Sequence, residues 1–283
     1  MRPTFPRYPY GEYLVCERCG HGWAPAPAPV ALALQRKSFG DEFAGRAGPL
    51  LDHYERGNDA RALAALRRAC VHRVLEVGPG SGSLMARLHA NGAEVVGVDV
   101  SDSVANAIDR RHGLPVTTEP LADFAAKHRG AFDCVVLRHV LEHFADPRTA
   151  LAAAAEALAP RGTLYLAVPT AASWHRRFPA WTGYQPYHFH YFSPRSLSAL
   201  AKRSGFEVER LSTYEPPTGW PNTAYRTLRG AARLPRHSST PRARRLLEML
   251  RLGSGLAISP VRWLQSALGA GEELVLVARR AVP

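Results

Sequence analysis

The sequence predicts a doubly wound α/β fold: a mostly parallel, seven-stranded sheet with helices on both faces. Three observations carry this. From Arg73 onward, short apolar runs of strand length alternate with segments of helical periodicity. The first run, Arg73–Val77, breaks into Gly78, Gly80 and Gly82, and a helix pattern starts at Leu84. Strand, glycine-rich turn, helix is how such a sheet opens a nucleotide-sized crevice. A closing apolar run over 272–279 returns long after the regular alternation has stopped at Pro169.

The elements follow in order. The helix over 83–90 stops at Asn91-Gly92, Gly being a good C-terminal stop. A strand over 94–99 leads to a helix over 103–111. A short strand near 115–118 precedes a helix over 121–128. The strand over 132–137 runs into a turn at 138–145. Asp146-Pro147 then starts a helix to about Leu158, an N-cap acceptor followed by proline at the first helical position. A strand over 162–168 follows. Residues 170–192 are rich in aromatics and His and too long for a plain connection; such insertions are often functional. A helix over 194–204 ends at Gly205, and a strand over 206–214 leads into a second insertion, 216–271. This should hold helices at 222–233, 241–252 and 260–268, two of them opened by Thr240-Pro241 and Ser259-Pro260.

Upstream, residues 1–23 read as an irregular or β-ribbon piece, and Ala24–Pro29 as a stiff Pro/Ala linker. Residues 31–70 read as mostly helical, with breaks near Gly45–Pro49 and Gly57. The expected organisation is an arm and linker (1–30), N-terminal helices over the active site (31–70) and the α/β domain (71–283).

Composition bounds the function. The chain has 283 residues and a formal net charge of +12. No apolar run reaches membrane-spanning length, and Met1–Tyr10 is not a signal peptide, so a cytoplasmic protein without a membrane span is expected. Cys70 and Cys134 sit in apolar runs; Cys16 and Cys19 are the only close pair, so there is no disulfide framework. The basicity is local: between Pro216 and Ala270 nine arginines stand against one acid, Glu248.

Two nucleotide readings compete for the crevice. A nicotinamide site wants a third glycine where this chain has Ser83, and it does not carry an acid such as Glu76 just before the turn. Both readings place an acid at the end of the second strand, here Asp99, to accept from ribose hydroxyls. Glu-Val-Gly-Pro-Gly-Ser-Gly (76–82), Val-Val-Gly-Val-Asp-Val-Ser (95–101), Phe-Asp-Cys-Val-Val-Leu-Arg-His-Val-Leu-Glu-His-Phe-Ala-Asp-Pro (132–147) and Gly-Thr-Leu-Tyr-Leu-Ala-Val-Pro (162–169) resemble, in order and spacing, the motifs of class I S-adenosylmethionine-dependent methyltransferases. The resemblance covers about residues 70–169, and the family's last two strands close the sheet antiparallel, which implies that the last strand of this sheet is antiparallel. It implies S-adenosyl-L-methionine as cofactor and S-adenosyl-L-homocysteine as product. It places Glu76, Gly78, Pro79, Gly80 and Gly82 near the methionine part, Asp99 on the ribose, Val100 on the adenine and Glu119, Pro120 and Leu121 at the adenine edge. Arg138 and His139 would lie near the reacting sulfonium. Pro79 stands where many relatives have Cys or Ala.

Methyl transfer is an in-line displacement, and much of its acceleration comes from positioning. A hydroxyl or amine acceptor also loses a proton, for which a neutral His is suited. His139 and His143 flank the turn after the fourth strand; His188 and His190 lie in the first insertion. His143 reads more readily as a brace of the turn, and a metal held by His139 and His143 lacks a third ligand, so no metal site is expected. The run Trp181 to Leu197, with Pro186-Tyr187-His188, Tyr191 and Phe192-Ser193-Pro194, resembles the lid segment of one small-molecule branch of these enzymes. That likeness implies His143, Trp181, His188 and Tyr191 near the substrate and His139 and His188 as candidate bases. His188 otherwise only fixes the loop.

Cys16-x2-Cys19-Gly20-His21 resembles one knuckle of a zinc ribbon, read here as degenerate and metal-free or as half of an intersubunit site. The helix over 241–252 puts Ala243, Leu246, Leu247 and Leu250 on one face and arginines elsewhere. Either it caps the domain with a solvated polar face, or it attracts an anionic substrate, a membrane surface or nucleic acid. Between Arg226 and Arg262 no aromatic interleaves with the arginines, so no nucleic-acid partner is expected.

The leading reading is a methyltransferase acting on a small molecule, at oxygen, the acceptor being a specialised metabolite or a sugar-containing intermediate. A nitrogen or carbon acceptor, a tRNA or rRNA methyltransferase using the arginines, and a non-catalytic cofactor-binding subunit are the alternatives. The N-terminal segment leaves room for a homodimer.

Overall fold

The computed structural model describes residues 2–3, 12–24, 49–67, 71–231 and 241–282. The Pro/Ala linker beyond Ala24, the helical segment before Pro49 and Cys70 lie outside them. The N-terminal arm is a ribbon of β1 (Arg2–Pro3), β2 (Leu14–Val15) and β3 (Gly22–Trp23). Helix α1 (Pro49–Leu66) follows and runs unbroken through Gly57. A single glycine costs a helix only about 1 kcal/mol relative to alanine, less than α1 recovers from the side chains it commits to the domain below.

The domain then alternates as expected: β4 (Arg73–Val77), α2 (Ser83–Ala90), β5 (Glu94–Val98), α3 (Asp102–His112), β6 (Val116–Thr117), α4 (Leu121–Lys127), β7 (Phe132–Arg138), α5 (Pro147–Ala157) and β8 (Leu158–Pro169). Three of the helix ends are written in the sequence, whereas α2 and α4 start without a side-chain cap. Ser101 Oγ accepts from the Val104 amide, Gly113 ends α3 in the left-handed region, and Asp146 accepts from the Arg148 amide. After the first insertion come β9 (His190–Tyr191), α6 (Pro194–Arg203) with a Ser193–Ser196 capping box, β10 (Phe206–Tyr214), α7 (Gly219–Ala231), α8 (Pro241–Ala257), α9 (Ser259–Ala267) and β11 (Glu273–Arg280). Helix α8 extends five residues past the expected end at 252, through Gly253 and Gly255. Helix α9 also starts without a side-chain cap, behind Ile258 and not the expected Ser259.

The main sheet has seven strands in the order β10-β11-β8-β7-β4-β5-β6. β4 to β8 pair in parallel, whereas β11 runs antiparallel to both its neighbours, β8 and β10. Successive side chains of a strand point to opposite faces, and both faces are covered. Leu75, Val135 and Leu137 pack under α4, α5 and α6 with Leu121, Leu151 and Leu197. Val74 and Val136 pack under α1, α2 and α3 with Leu66, Leu84 and Ile108. The chain order reverses between β4 and β7, so a crevice opens at their carboxyl ends. The ribbon forms its own small sheet: β3 pairs with β9, and Tyr13, Trp181, Tyr184 and Tyr191 make a third apolar cluster. The arm and the first insertion therefore fold together.

Candidate active site

A cavity of about 540 Å³ occupies that crevice. Gly78, Pro79, Gly80, Asp99, Val100, Glu119, Pro120, Leu121, Arg138, His139 and His143 all line it, so residues from three of the motifs and from the 119–121 segment meet in one place. Gly78 is left-handed (φ 63°), and a Cβ there would strike the Val140 side chain. Gly82 does not line the cavity. It lets α2 approach α3, where a Cβ would come within 2.9 Å of Ile108. Asp99 holds the Ser101 amide at 2.9 Å, and burial raises its pKa to about 6.

Glu76 lies one layer behind the wall. Arg138 covers it, donating to Glu76 Oε1 at 3.0 and 3.3 Å and to Asp59 Oδ1 at 2.8 Å. Asp59, fully buried, comes from α1 and also accepts from Ser83 Oγ at 2.8 Å and meets Arg87 at 3.1 Å. This carboxylate pins α1 to the glycine turn. Glu76 Oε2 is buried without a hydrogen-bond partner among the described residues. Burial pushes Glu76 up to about 7 against the pull of Arg138.

His139 sits at φ 54°, an uncommon backbone state for a non-glycine residue and one that clusters at functional sites. Its Nε2 lies 3.2 Å from Tyr54 Oη and 3.6 Å from Glu273 Oε1, and its Nδ1 3.6 Å from Glu142 Oε1. Burial alone would lower its pKa, but Glu142 and Glu273 raise it to about 10. Burial likewise opposes ionisation of Glu273, yet Arg61, His139 and Tyr54 hold it down at about 2. Tyr54 donates to Glu273 Oε1 at 2.6 Å, and Arg61 meets the other oxygen at 3.2 Å. The free site thus presents an imidazolium between two carboxylates, rather than the neutral imidazole the sequence reading wanted.

The lid residues lie elsewhere. Trp181 and Tyr191 are fully buried in the ribbon cluster, and Trp181 Nε1 donates to Glu272 at 2.8 Å. His188 is buried outside the cavity wall, with Nδ1 facing the Gly183 carbonyl at 2.8 Å, and burial lowers it to about 3. His190 packs against His21 (3.1 Å). A third group does join the His143 turn: Glu142, His143 and His188 bring ligating atoms within 4.8 Å of one another. His143, however, places its nitrogens on the Tyr187 and His139 carbonyls (3.1 and 2.9 Å), which makes it a brace. Among the described residues no such group includes Cys16 or Cys19.

Sequence reasoning missed Tyr54, Asp59 and Glu273. The only signal for the first two was a helix with acids and a tyrosine but no clean apolar stripe. Glu273, at the head of a strand, carried none.

The pocket fits the expected cofactor on its own chemistry: an unpartnered buried carboxylate oxygen, a turn that a side chain would fill, and an acid at the end of β5. Comparison with known proteins agrees. A family model described as a methyltransferase domain matches residues 46–211, more than half of the chain. A ubiquinone biosynthesis O-methyltransferase from Thiobacillus denitrificans is 32% identical over 166 residues, covering 52% of this chain and 70% of that protein. One from Xanthomonas axonopodis pv. citri is 31% identical over 173 residues (54% and 69%). An N-methyltransferase from Bradyrhizobium japonicum, solved with S-adenosyl-L-homocysteine, shares the fold with a TM-score of 0.53 at 15% identity, covering 87% of this chain and 97% of that one.

Proposed function

The chain belongs to the methyltransferase-domain family, and from that premise we propose that it moves a methyl group from S-adenosyl-L-methionine to a hydroxyl oxygen of a small molecule. The relatives' O-methyltransferase names support the acceptor atom. The observation that carries the reading is the Tyr54–His139 pair on the wall that also holds the glycine turn, backed by the buried Glu273.

The cofactor, when bound, supplies an electrophilic methyl on a sulfonium. Glu76 and Arg138, with the backbone at Gly78 and Gly80, would hold its methionine end. Asp99 would accept from the ribose hydroxyls, and Val100 with Glu119, Pro120 and Leu121 would frame the adenine. His139 Nε2–H, kept positive by Glu142 and Glu273, would donate to the acceptor oxygen, lower that hydroxyl's pKa and so raise the share bound as the nucleophilic anion. The acceptor's proton leaves to water as the oxygen settles beside the imidazolium. That arrangement favours an acidic hydroxyl, on a specialised metabolite or a sugar-containing intermediate. Helix α1, locked by Asp59, forms one wall of this pocket.

The test is calorimetric binding of S-adenosyl-L-homocysteine, followed by transfer of labelled methyl to a panel of phenols, sugars and amines. Binding with transfer to hydroxyl acceptors is expected. Transfer only to amines would overturn the oxygen assignment, and binding without any transfer would make the chain a cofactor-binding subunit.

A further inference from the structure

Helices α8 and α9 wear their polarity inside out. Helix α8 rests on α1 and α7. Its inward side carries Glu248 and Gly255, and at Gly255 the absent side chain lets the helix meet the Pro217 carbonyl. Helix α9 turns Arg262 and Gln265 inward. Arg262 donates to the Glu215 carbonyl at 2.9 and 3.2 Å, and Gln265 donates to Glu215 Oε2 at 2.9 Å. The outward sides are apolar. Leu246, Met249 and Leu250, spaced as one helical stripe, face solvent, Leu246 and Leu250 at 62% exposure. Val261, Trp263 and Leu264 do the same on α9, Trp263 at 74%. An amphipathic helix that caps a domain with a solvated polar face shows the reverse, so of the two alternatives open for 241–252 the exposed leucines speak against the plain cap. Gly255 and the polar contacts of Arg262 and Gln265 fix the inner side, and the leucines are left outside.

Arg242 and Arg245 are exposed on the helix that carries the leucine stripe. The segment around them has nine arginines to one acid. A basic helix with leucines and tryptophan on its free side is the composition of a helix that lies in a lipid interface. No helix among the described residues is long and apolar enough to cross a membrane. A second copy is a poor partner for this face, because it would bring two arginine-rich segments together with one acid each.

We infer that the outer face of α8 and α9 docks on an anionic lipid bilayer, with Trp263, Leu246 and Leu250 among the acyl chains and Arg242 and Arg245 on lipid phosphates. The inference does not rest on methyl transfer. Sedimentation of the full chain with phosphatidylcholine vesicles, with and without phosphatidylglycerol, tests it. The protein should pellet with the phosphatidylglycerol vesicles alone and leave them at high salt. Replacing Arg242 and Arg245 by Gln should weaken binding about five-fold for each arginine. Leu250→Glu with Trp263→Glu should abolish it while S-adenosyl-L-homocysteine binding persists, which shows the variant folded. Equal pelleting with both vesicles, or with neither, overturns the inference. So does a doubled mass in solution that Leu250→Glu halves without any vesicle binding.

Discussion

Two clusters of buried charge lie at the carboxyl edge of the sheet, one on each side of β8, and they are assembled in opposite ways. On the β7 side, Arg138 joins Glu76 and Asp59 around the glycine turn, each charge carried by an element that packs directly on its neighbour. On the β11 side, His175 Nε2 meets Glu215 Oε1 at 2.8 Å, while Gln265 holds the other oxygen of Glu215, and Trp181 and Thr182 donate to Glu272. Those groups come from the first insertion, the end of β10, α9 and the head of β11. The first cluster leaves a carboxylate oxygen unpartnered beside a cavity. The second ties its acids to donors and binds the two insertions together. A buried polar network that spends its hydrogen bonds on itself builds structure; one that keeps an acceptor in reserve is poised for a ligand.

The largest effect should come from breaking the first cluster. Arg138→Ala leaves Glu76 buried without its cation and Asp59 with Arg87 alone. Removing one partner of a buried pair typically costs about 3–5 kcal/mol. Urea unfolding should show that loss, and Arg138→Ala with Glu76→Gln should recover part of it. If Arg138→Ala costs no more than a surface substitution, the network does not hold α1.

Next comes His139. His139→Gln should lower kcat by about 10–10²-fold, the scale of losing one hydrogen bond between charged groups, about 1.5–3 kcal/mol, with cofactor affinity unchanged. The pH dependence separates an imidazolium from a base. His139 is raised to about 10, so the stability of its carboxylate pairing is complete below the unfolded value of about 6.5 and fades as pH climbs through 10. Activity should hold across neutral pH and fall on the alkaline side. Glu273→Gln removes one of the charges that raise His139 and should move that fall to lower pH. A rate that climbs with pH through the imidazole range would restore the base role to His139.

A smaller effect belongs to Asp99. Asp99→Asn should weaken S-adenosyl-L-homocysteine binding about ten-fold, as for one charge-assisted hydrogen bond. The free carboxyl titrates at about 6 because of burial. A raised acid keeps its proton, so wild-type affinity should fall as pH drops below 6, and calorimetry on Asp99→Asn should show that dependence flattened.

The same contrast decides what was legible in the sequence. Glu76, Gly78, Asp99 and Arg138 sit at strand ends, where alternation and a glycine turn fix position through local backbone rules. The caps at Ser101 and Asp146 were readable for the same reason. Glu273 meets His139 only because β11 inserts between β8 and β10, a pairing no local pattern announces. His188 and Trp181 are expected at the pocket because their segment resembles a lid over the active-site mouth, but the ribbon's Tyr13 and the acid Glu272 claim that segment. The outward leucines of α8 defeat the rule that an apolar stripe marks the core, since the inner face is set by Gly255 and by α9's polar contacts.

The smallest expected effect lies in the N-terminal ribbon, where the Cys pair resembles half of a metal site. Cys16 and Cys19 are both free thiols. His21, the nearest further donor in the chain, is turned to Ser196 at 3.3 Å and His190 at 3.1 Å. The ribbon is held by other means: β3 pairs with β9, and Tyr13 packs edge-on to Tyr191 at 5.1 Å. Replacing both cysteines by Ser should therefore change stability by no more than about 0.5 kcal/mol, as for surface positions. A structural zinc would behave differently, because its binding energy is folding energy for so small a ribbon. Loss of the ribbon on chelation, with a matching loss in the double Ser variant, would show that a metal and not the aromatic cluster holds the arm to the lid.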